Sequence, residues 1–349
     1  MWKNMFGWLM YTMRLAISLP SFRLKRLDVV LDWFLQSKRC TSARWWHLLL
    51  GPLRSIMDVI PGGWSLFCHL QVALRAHTGH TPLAVHNDLE NWRRLIVALH
   101  RCPTHMLEVV SPDPTTLSAH DNCGNGMGVI FREPDGILFV WRWNFAADIA
   151  AHLVSWDKPD GDHDINKFDL SGYYAQAALV TSHMTPLAAS AFGCNNFTTV
   201  LWVKRSSIWR HSPALAFLCA CDLLLRKGNH ILGRVSFLPG KLNGMANTAL
   251  RLCQLSNTDI LTYFSCHFPQ DKSWKICQPP PTMMQHIATV LRARKWHTVC
   301  RPPASTPTRL PGANGENSPP GWVSDPTLAT LPTPSLSSKY LPTASEMAS

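Results

Sequence analysis

His120-Asp121-Asn122-Cys123-Gly124-Asn125-Gly126-Met127-Gly128 decides how this chain is read. It lies inside Thr116–Phe131, where apolar residues stand on both sides of a glycine-rich centre, so the stretch reads as strand, turn and strand. Gly124, Gly126 and Gly128 follow a strand but precede another strand rather than a helix. A dinucleotide phosphate loop needs the helix, so that reading is excluded. Pro134-Asp135-Gly136 is a second turn signal and introduces the second strand, 136–145, which makes a hairpin with 116–131 taken as the first.

Working outward, 152–156 reads as a third strand and 169–187 as a helix. A short buried strand at 188–193, helices at 195–204 and 213–227, a strand at 230–238 and a helix at 242–254 follow. The order β-β-β-α-β-α-α-β-α predicts an α/β fold with a mixed sheet flanked by helices. Upstream, Leu24, Leu27, Val30, Leu31 and Phe34 recur at helical spacing. So do Trp45, Leu48, Leu49, Leu53 and Ile56, and likewise Leu89, Trp92, Leu95, Ile96 and Leu99. Residues 1–110 are therefore expected to form a small all-helical module, closed by a break at Val110-Ser111-Pro112-Asp113-Pro114. A helical extension covers 256–300. From Arg301 onward ten prolines fall in 49 residues with many Ser, Thr and Ala, a composition that cannot build a packed core.

The chain has 349 residues with 46% hydrophobic and 16% charged, enough for a real core. Mean hydropathy is near zero, which excludes a polytopic membrane protein and a chain disordered throughout. Met5–Leu19 is apolar, but Lys3 and Arg14 interrupt it, so neither a membrane span nor a signal peptide is expected. Eleven cysteines, an odd number with no Cys-x-x-Cys, read as reduced thiols of an intracellular protein, with nucleus or cytoplasm left open. His77-x-x-His80 and Cys102-x-x-His105 have ligand-like types, but their flanks are unlike a zinc finger.

Charge is uneven. Residues 1–110 carry a net +7, 111–170 a net −6 and 171–300 a net +10. Basic flanks imply a polyanionic partner. Acidic residues between them fit either a metal-dependent site or a solvated loop over 157–169. Lys204, Arg205 and Arg210 with Trp202 and Trp209 read as a basic-aromatic patch suited to nucleic acid, or as core tryptophans beside a solvated basic turn.

Further strings lie downstream in the same order. They are Leu153-Val154-Ser155-Trp156-Asp157, Asp169-Leu170-Ser171, Cys194-Asn195-Asn196, Trp202-Val203-Lys204-Arg205-Ser206-Ser207, and Pro239-Gly240-Lys241-Leu242-Asn243-Gly244-Met245-Ala246-Asn247. With the opening string, and with Trp46-His47-Leu48-Leu49-Leu50-Gly51 before it, they resemble the connection and ribonuclease H-like domain (here 115–255) in reverse transcriptases of tyrosine-recombinase (DIRS-like) retroelements. The resemblance covers roughly residues 1–300. Phe6-Gly7-Trp8 resembles the strand entering the thumb or connection, and no adjacent Asp-Asp pair of a polymerase palm occurs.

The resemblance implies a nuclease working through two divalent cations held by three or four carboxylates. Asp121 matches the first. Ser171, Cys194 and Asn247 stand where the resemblance implies the other three, and Asp169, two residues from Ser171, is expected to face away. Lost nuclease activity with residual, sequence-independent binding of RNA–DNA hybrid or DNA is the resulting expectation. Mg²⁺ or Mn²⁺ would be needed only by an active site, and no other cofactor is implied. An active hybrid ribonuclease with a rearranged site, and a non-catalytic interaction protein or decaying reading frame, stay open. Oligomeric state is open too. Trp143, Asn144 and Gly172 are read as weakening the fold.

Overall fold

The computed structural model describes residues 2–293 apart from 6–7, 37–42, 58, 61, 68–69, 72, 75–82, 111, 153–164, 186, 206–212 and 230. The strand expected at 152–156, the acidic loop before 165, His77, His80, Trp209, Arg210 and the proline-rich tail thus fall wholly or mainly outside the described residues.

Strand β5 (Thr116–Cys123) organises the sheet. It pairs antiparallel with β6 (Gly126–Arg132), which pairs antiparallel with β7 (Leu138–Asn144). On its other side it pairs parallel with β8 (Ala189–Cys194), which pairs parallel with β9 (Leu232–Phe237). A two-residue strand, β10 (Lys275–Ile276), adds to the outer edge of β7. The meander needs only tight turns, and Gly136 supplies one at φ +89°. Parallel neighbours need crossovers. Helix α4 (Ile165–His183) connects β7 to β8, and α5 (Phe197–Arg205) with α6 (Pro213–Asn229) connects β8 to β9. This is a six-stranded mixed sheet flanked by helices, the α/β class that the element order predicts.

Pleating sorts the side chains. Met127, Val129, Phe131, Phe139 and Trp141 face one layer with Phe168, Tyr173, Ala175 and Leu179 of α4. Helix α4 is buried on all sides from Lys167 to Thr181, because the sheet covers one face and α6 and α9 (Pro281–Arg292) cover the others. Leu138 and Val140 face the opposite layer, with Ala249 of α7 (Gly244–Arg251) and Ile260 and Phe264 of α8 (Asn257–His267). Helices α8 and α9 fall within the helical extension expected over 256–300.

The N-terminal module is helical at its centre, with α1 (Ser21–Gln36), α2 (Ala43–Met57) and α3 (Leu83–Arg101). It also carries a four-stranded antiparallel sheet that the sequence reading missed: β1 (Trp2–Met5), β2 (Trp8–Tyr11), β3 (Ala16–Ser18) and β4 (Thr104–His105). Strands of two to four residues leave almost no period-2 signal. A buried ion pair fastens the module to α6: Lys227 Nζ donates to both oxygens of Glu108 at 3.0 and 3.2 Å and to Thr104 Oγ1 at 3.0 Å.

Gly172 corrects an expectation. A Cβ there would stand 2.2 Å from Asn122 Nδ2 and 2.7 Å from His120 Cδ2. Gly128 is similar, with Leu250 N at 2.5 Å and Ala246 O at 2.7 Å. Both glycines are needed for helices to lie directly on β5 and β6. Gly51, in α2, has nothing within 4 Å. Gly172→Ala and Gly128→Ala should each lower stability by about 1–3 kcal/mol through overpacking. Gly51→Ala should raise it by about 0.5–1 kcal/mol through helix propensity. Urea unfolding of the three variants checks this, and a stabilising Gly172→Ala would contradict the packing.

Candidate functional site

The site forms where β5 and β8 end. Asp121 pairs with Gly128 in register, and Gly128 lies under α7, so the Asp121 carboxylate projects toward the α7 side of the sheet. His120 and Asn122 project toward α4, on the other side. Asp121 is buried, and its Oδ1 accepts from Asn195 Nδ2 at 2.8 Å and from the Asn122 backbone N–H at 2.9 Å. Burial pushes its carboxyl above the usual carboxylate range, against the lowering effect of those two bonds and of the nearby Arg251 guanidinium.

Asp169 is buried in the first turns of α4. Its Oδ1 accepts from Asn122 Nδ2 at 3.3 Å and its Oδ2 from Asn196 Nδ2 at 2.6 Å. Asn196 also caps α5, its Oδ1 accepting from the Thr199 N–H at 3.2 Å. Consecutive asparagines at the end of β8 therefore serve the two carboxylates separately. Asn195 Oδ1 and Asn122 Oδ1 have no partner.

This arrangement alters the expected roles. Asp169 is not turned away, for it bonds to the neighbour of Asp121 and to the end of β8. Helix α4 begins at Ile165 rather than at Asp169, so Asp169 lies within its N-terminal half. Ser171 is fully buried and its hydroxyl donates to Lys167 O of its own helix at 2.8 Å. The side chain that reaches Asp121 from β8 is Asn195, whereas the buried Cys194 thiol engages the Asn196 backbone, and burial pushes it up to about 12. Asn247 is half-buried on α7, one residue beyond Ala246 and one turn before Arg251, the cation that acts on Asp121.

Chemically, the cluster is poorly suited to a pair of divalent cations. Cations want oxygen ligands and several negative charges, yet amide N–H groups are aimed at both carboxylates. Among the described residues, no three His, Cys, Asp or Glu side chains converge in a way that could hold a metal ion. The described residues therefore do not fit the two-cation group that the resemblance implies; Asp157, Asp160, Asp162 and Asp164 lie outside them.

The basic-aromatic patch divides. Trp202 is 5% exposed and packs in the core, so it cannot stack a base. The amphipathic turn of α5 directs it inward, while Lys204 is exposed. The Arg205 side chain and Arg210 lie outside the described residues. A Glu133–His183–Cys277 chain has the order of a nucleophile triad, with His183 Nδ1 3.0 Å from Glu133 Oε1 and Nε2 3.2 Å from Cys277 Sγ. The thiol is buried and pushed up to about 12, and the Cys277 N–H is bonded to Val140 O at 3.0 Å. It lacks both the thiolate and the free donor that acyl transfer needs.

No protein-family model matches the chain, and no curated protein sequence matches it. Among solved structures it is similar to the foamy viral protease-reverse transcriptase dRH in complex with ds DNA (TM-score 0.24, 9% identity, over 67% of this chain and 38% of that one). It is also similar to the foamy viral protease-reverse transcriptase in complex with RNA/DNA hybrid (TM-score 0.26, 10% identity, over 72% of this chain and 52% of that one). The chain thus spans about two fifths and about half of those two proteins. A likeness this slight decides neither fold nor activity. No described helix is long and apolar enough to cross a membrane.

His120 gives the site a pH signature. Its Nδ1–H donates to Gln176 Oε1 at 2.7 Å, and Gln176 Nε2 donates to Ser118 Oγ at 2.8 Å. Burial lowers its pKa to about 4, outweighing the Gln176 bond and the Asp169 backbone, which raise it. The unfolded chain then binds the proton better, so this contribution is complete above the unfolded value near 6.5 and is lost as pH falls toward 4. Between pH 7 and pH 5 the loss should be about 2 kcal/mol. Buried Asp121 and Asp222, both shifted upward, act in the opposite sense, so the contrast with His120→Gln isolates the effect. Urea titrations at both pH values check it, and equal losses in wild type and variant would refute it.

Proposed function

We propose that this chain is a retroelement-derived connection and ribonuclease H-like fragment that has given up metal-dependent cleavage and keeps sequence-independent nucleic-acid binding. The observation that carries this reading is the Asn195 amide donating to Asp121. It supplies a positive hydrogen where a second carboxylate and a cation would be required. Asn122 and Asn196 do the same for Asp169. The basic excess supports the binding half of the proposal. Residues 195–251 include eight Lys or Arg and one acid, Asp222, whose carboxylate is paired with Arg226 at 2.7 Å. Lys227 is buried against Glu108, whereas Lys204, Arg234, Lys241 and Arg251 are exposed and would attract a polyanion by releasing its counterions, without reading bases.

Incubation of the purified full chain with an RNA–DNA hybrid and Mg²⁺ or Mn²⁺ tests the loss. Hybrid should remain intact while being bound, and binding should weaken steeply with salt. Cleavage that Asp121→Ala abolishes would establish the active-nuclease alternative instead. Binding absent even at low salt would leave the interaction-protein or decaying-frame alternative. Conversely, Asn195→Asp combined with Asn247→Asp adds two carboxylates around Asp121. It should raise Mn²⁺ affinity at least tenfold over wild type by calorimetry, since each added anion favours the cation.

A further inference from the structure

Three large apolar side chains are exposed beside this cluster. Phe197 is the first residue of α5, directly after Asn196, and is 59% exposed. Phe237, at the end of β9, is 47% exposed, and Leu242, in the following turn, is 72% exposed. The two phenylalanine rings meet edge to face, with centroids 6.0 Å apart at 81°. Their placement follows from the register: Phe237 pairs with Cys194, and the Leu238 N–H donates to Cys194 O at 2.9 Å. Among the described residues strand β9 is the last in the sheet, and none of them adds a further strand at that edge.

Charge selects the occupant. Lys204 is exposed two helical turns from Phe197, on the same side of α5. Lys241 is exposed next to Leu242. No acidic residue occurs on α5, on β9 or in the turn after it. An apolar protein partner has no need of this bias, whereas a polyanion that also presents flat apolar faces uses both features. Bases inside a duplex are stacked on one another and cannot reach a protein ring.

We infer that Phe197 and Phe237, flanked by Lys204 and Lys241, form a stacking platform for unpaired bases of single-stranded nucleic acid. Base–aromatic stacking orients the strand and the two lysines meet its phosphates. The site differs from the expected tryptophan patch and needs no cation. It rests on the proposal that the chain binds nucleic acid and names the strand form bound.

Fluorescence anisotropy on the full chain would compare a short oligothymidylate with an abasic oligonucleotide of the same length and charge. Wild type should prefer the oligothymidylate about tenfold or more, the scale of stacking one or two bases. Phe197→Leu/Phe237→Leu keeps apolar bulk but removes the rings. It should abolish that preference while leaving the salt dependence and hybrid binding at low salt unchanged. Lys204→Gln/Lys241→Gln should keep the preference and flatten the log–log salt slope by about 1.4 for a single strand. Thermal melts should be unchanged, since all four side chains are exposed. Equal wild-type affinity for the two oligonucleotides, or a preference that survives loss of the rings, would overturn the platform while hybrid binding still stands. Rings needed instead for self-association in sedimentation would mark a second copy as the occupant and overturn it too. Absence of binding to any nucleic acid would overturn both readings.

Discussion

Two carboxylates sealed at the ends of β5 and β8 must have their charge answered, and here asparagine answers it. An isolated anion in a protein interior is costly unless hydrogen-bonded or paired. Asp121 receives the Asn195 amide and a backbone N–H, while Asp169 receives Asn122 and Asn196. Those bonds also connect β5, β8, α4 and α5, and Asn196, which answers Asp169, caps the start of α5 as well. Elsewhere the burden falls on packing, and the close approaches at Gly172 and Gly128 bring α4 and α7 onto opposite sides of the same strand pair. Truncating Asn195 would leave the buried Asp121 carboxylate with the Asn122 N–H as its remaining donor among the described residues, and truncating Asn196 would take one donor from Asp169.

Much of the architecture was legible before the structure. From 165 to 251 the order of helices and strands follows from period-2 and period-3.6 patterns. The stretch 116–131, read as strand around a glycine-rich centre, is the pair β5 and β6, and the strand expected at 152–156 lies outside the described residues. What escaped had weak local signals. Strands β1 to β4 are too short to alternate visibly. Helix α8 falls within the expected helical extension, and a Ser256 cap, whose Oγ accepts from the Asp259 N–H at 3.1 Å, sets its start.

Less of the site was legible. Ser171 and Cys194 came from matching motif strings, which carries no orientation. Two residues along a helix is about 200° of rotation, so the side on which Asp169 lies depends on how α4 packs. At the end of β8 the chain direction alone does not say that Asn195, one residue after Cys194, reaches Asp121. Trp202 shows the converse limit. A tryptophan beside basic residues has the chemistry of a stacking surface, but only packing decides whether its face is open, and α4 and α6 close it.

The exposed phenylalanines carry the last step of the argument. A fold that buries Phe131, Phe168, Phe192 and Phe264 almost completely has room for aromatic rings in its core. Leaving Phe197 and Phe237 half open at one edge, next to the Asp121 and Asp169 carboxylates, is therefore a feature of that edge and not of a poorly formed interior. An anionic strand approaching those carboxylates would meet like charge and the amides bonded to it, with little to hold its phosphates. Attraction must come from somewhere else, and the nearest sources are the rings and lysines of α5, β9 and the turn after it. On the proposed reading the amide-bonded carboxylates and the open aromatic edge belong together: the first offers no means of cutting, and the second a means of holding that depends on neither metal nor base sequence.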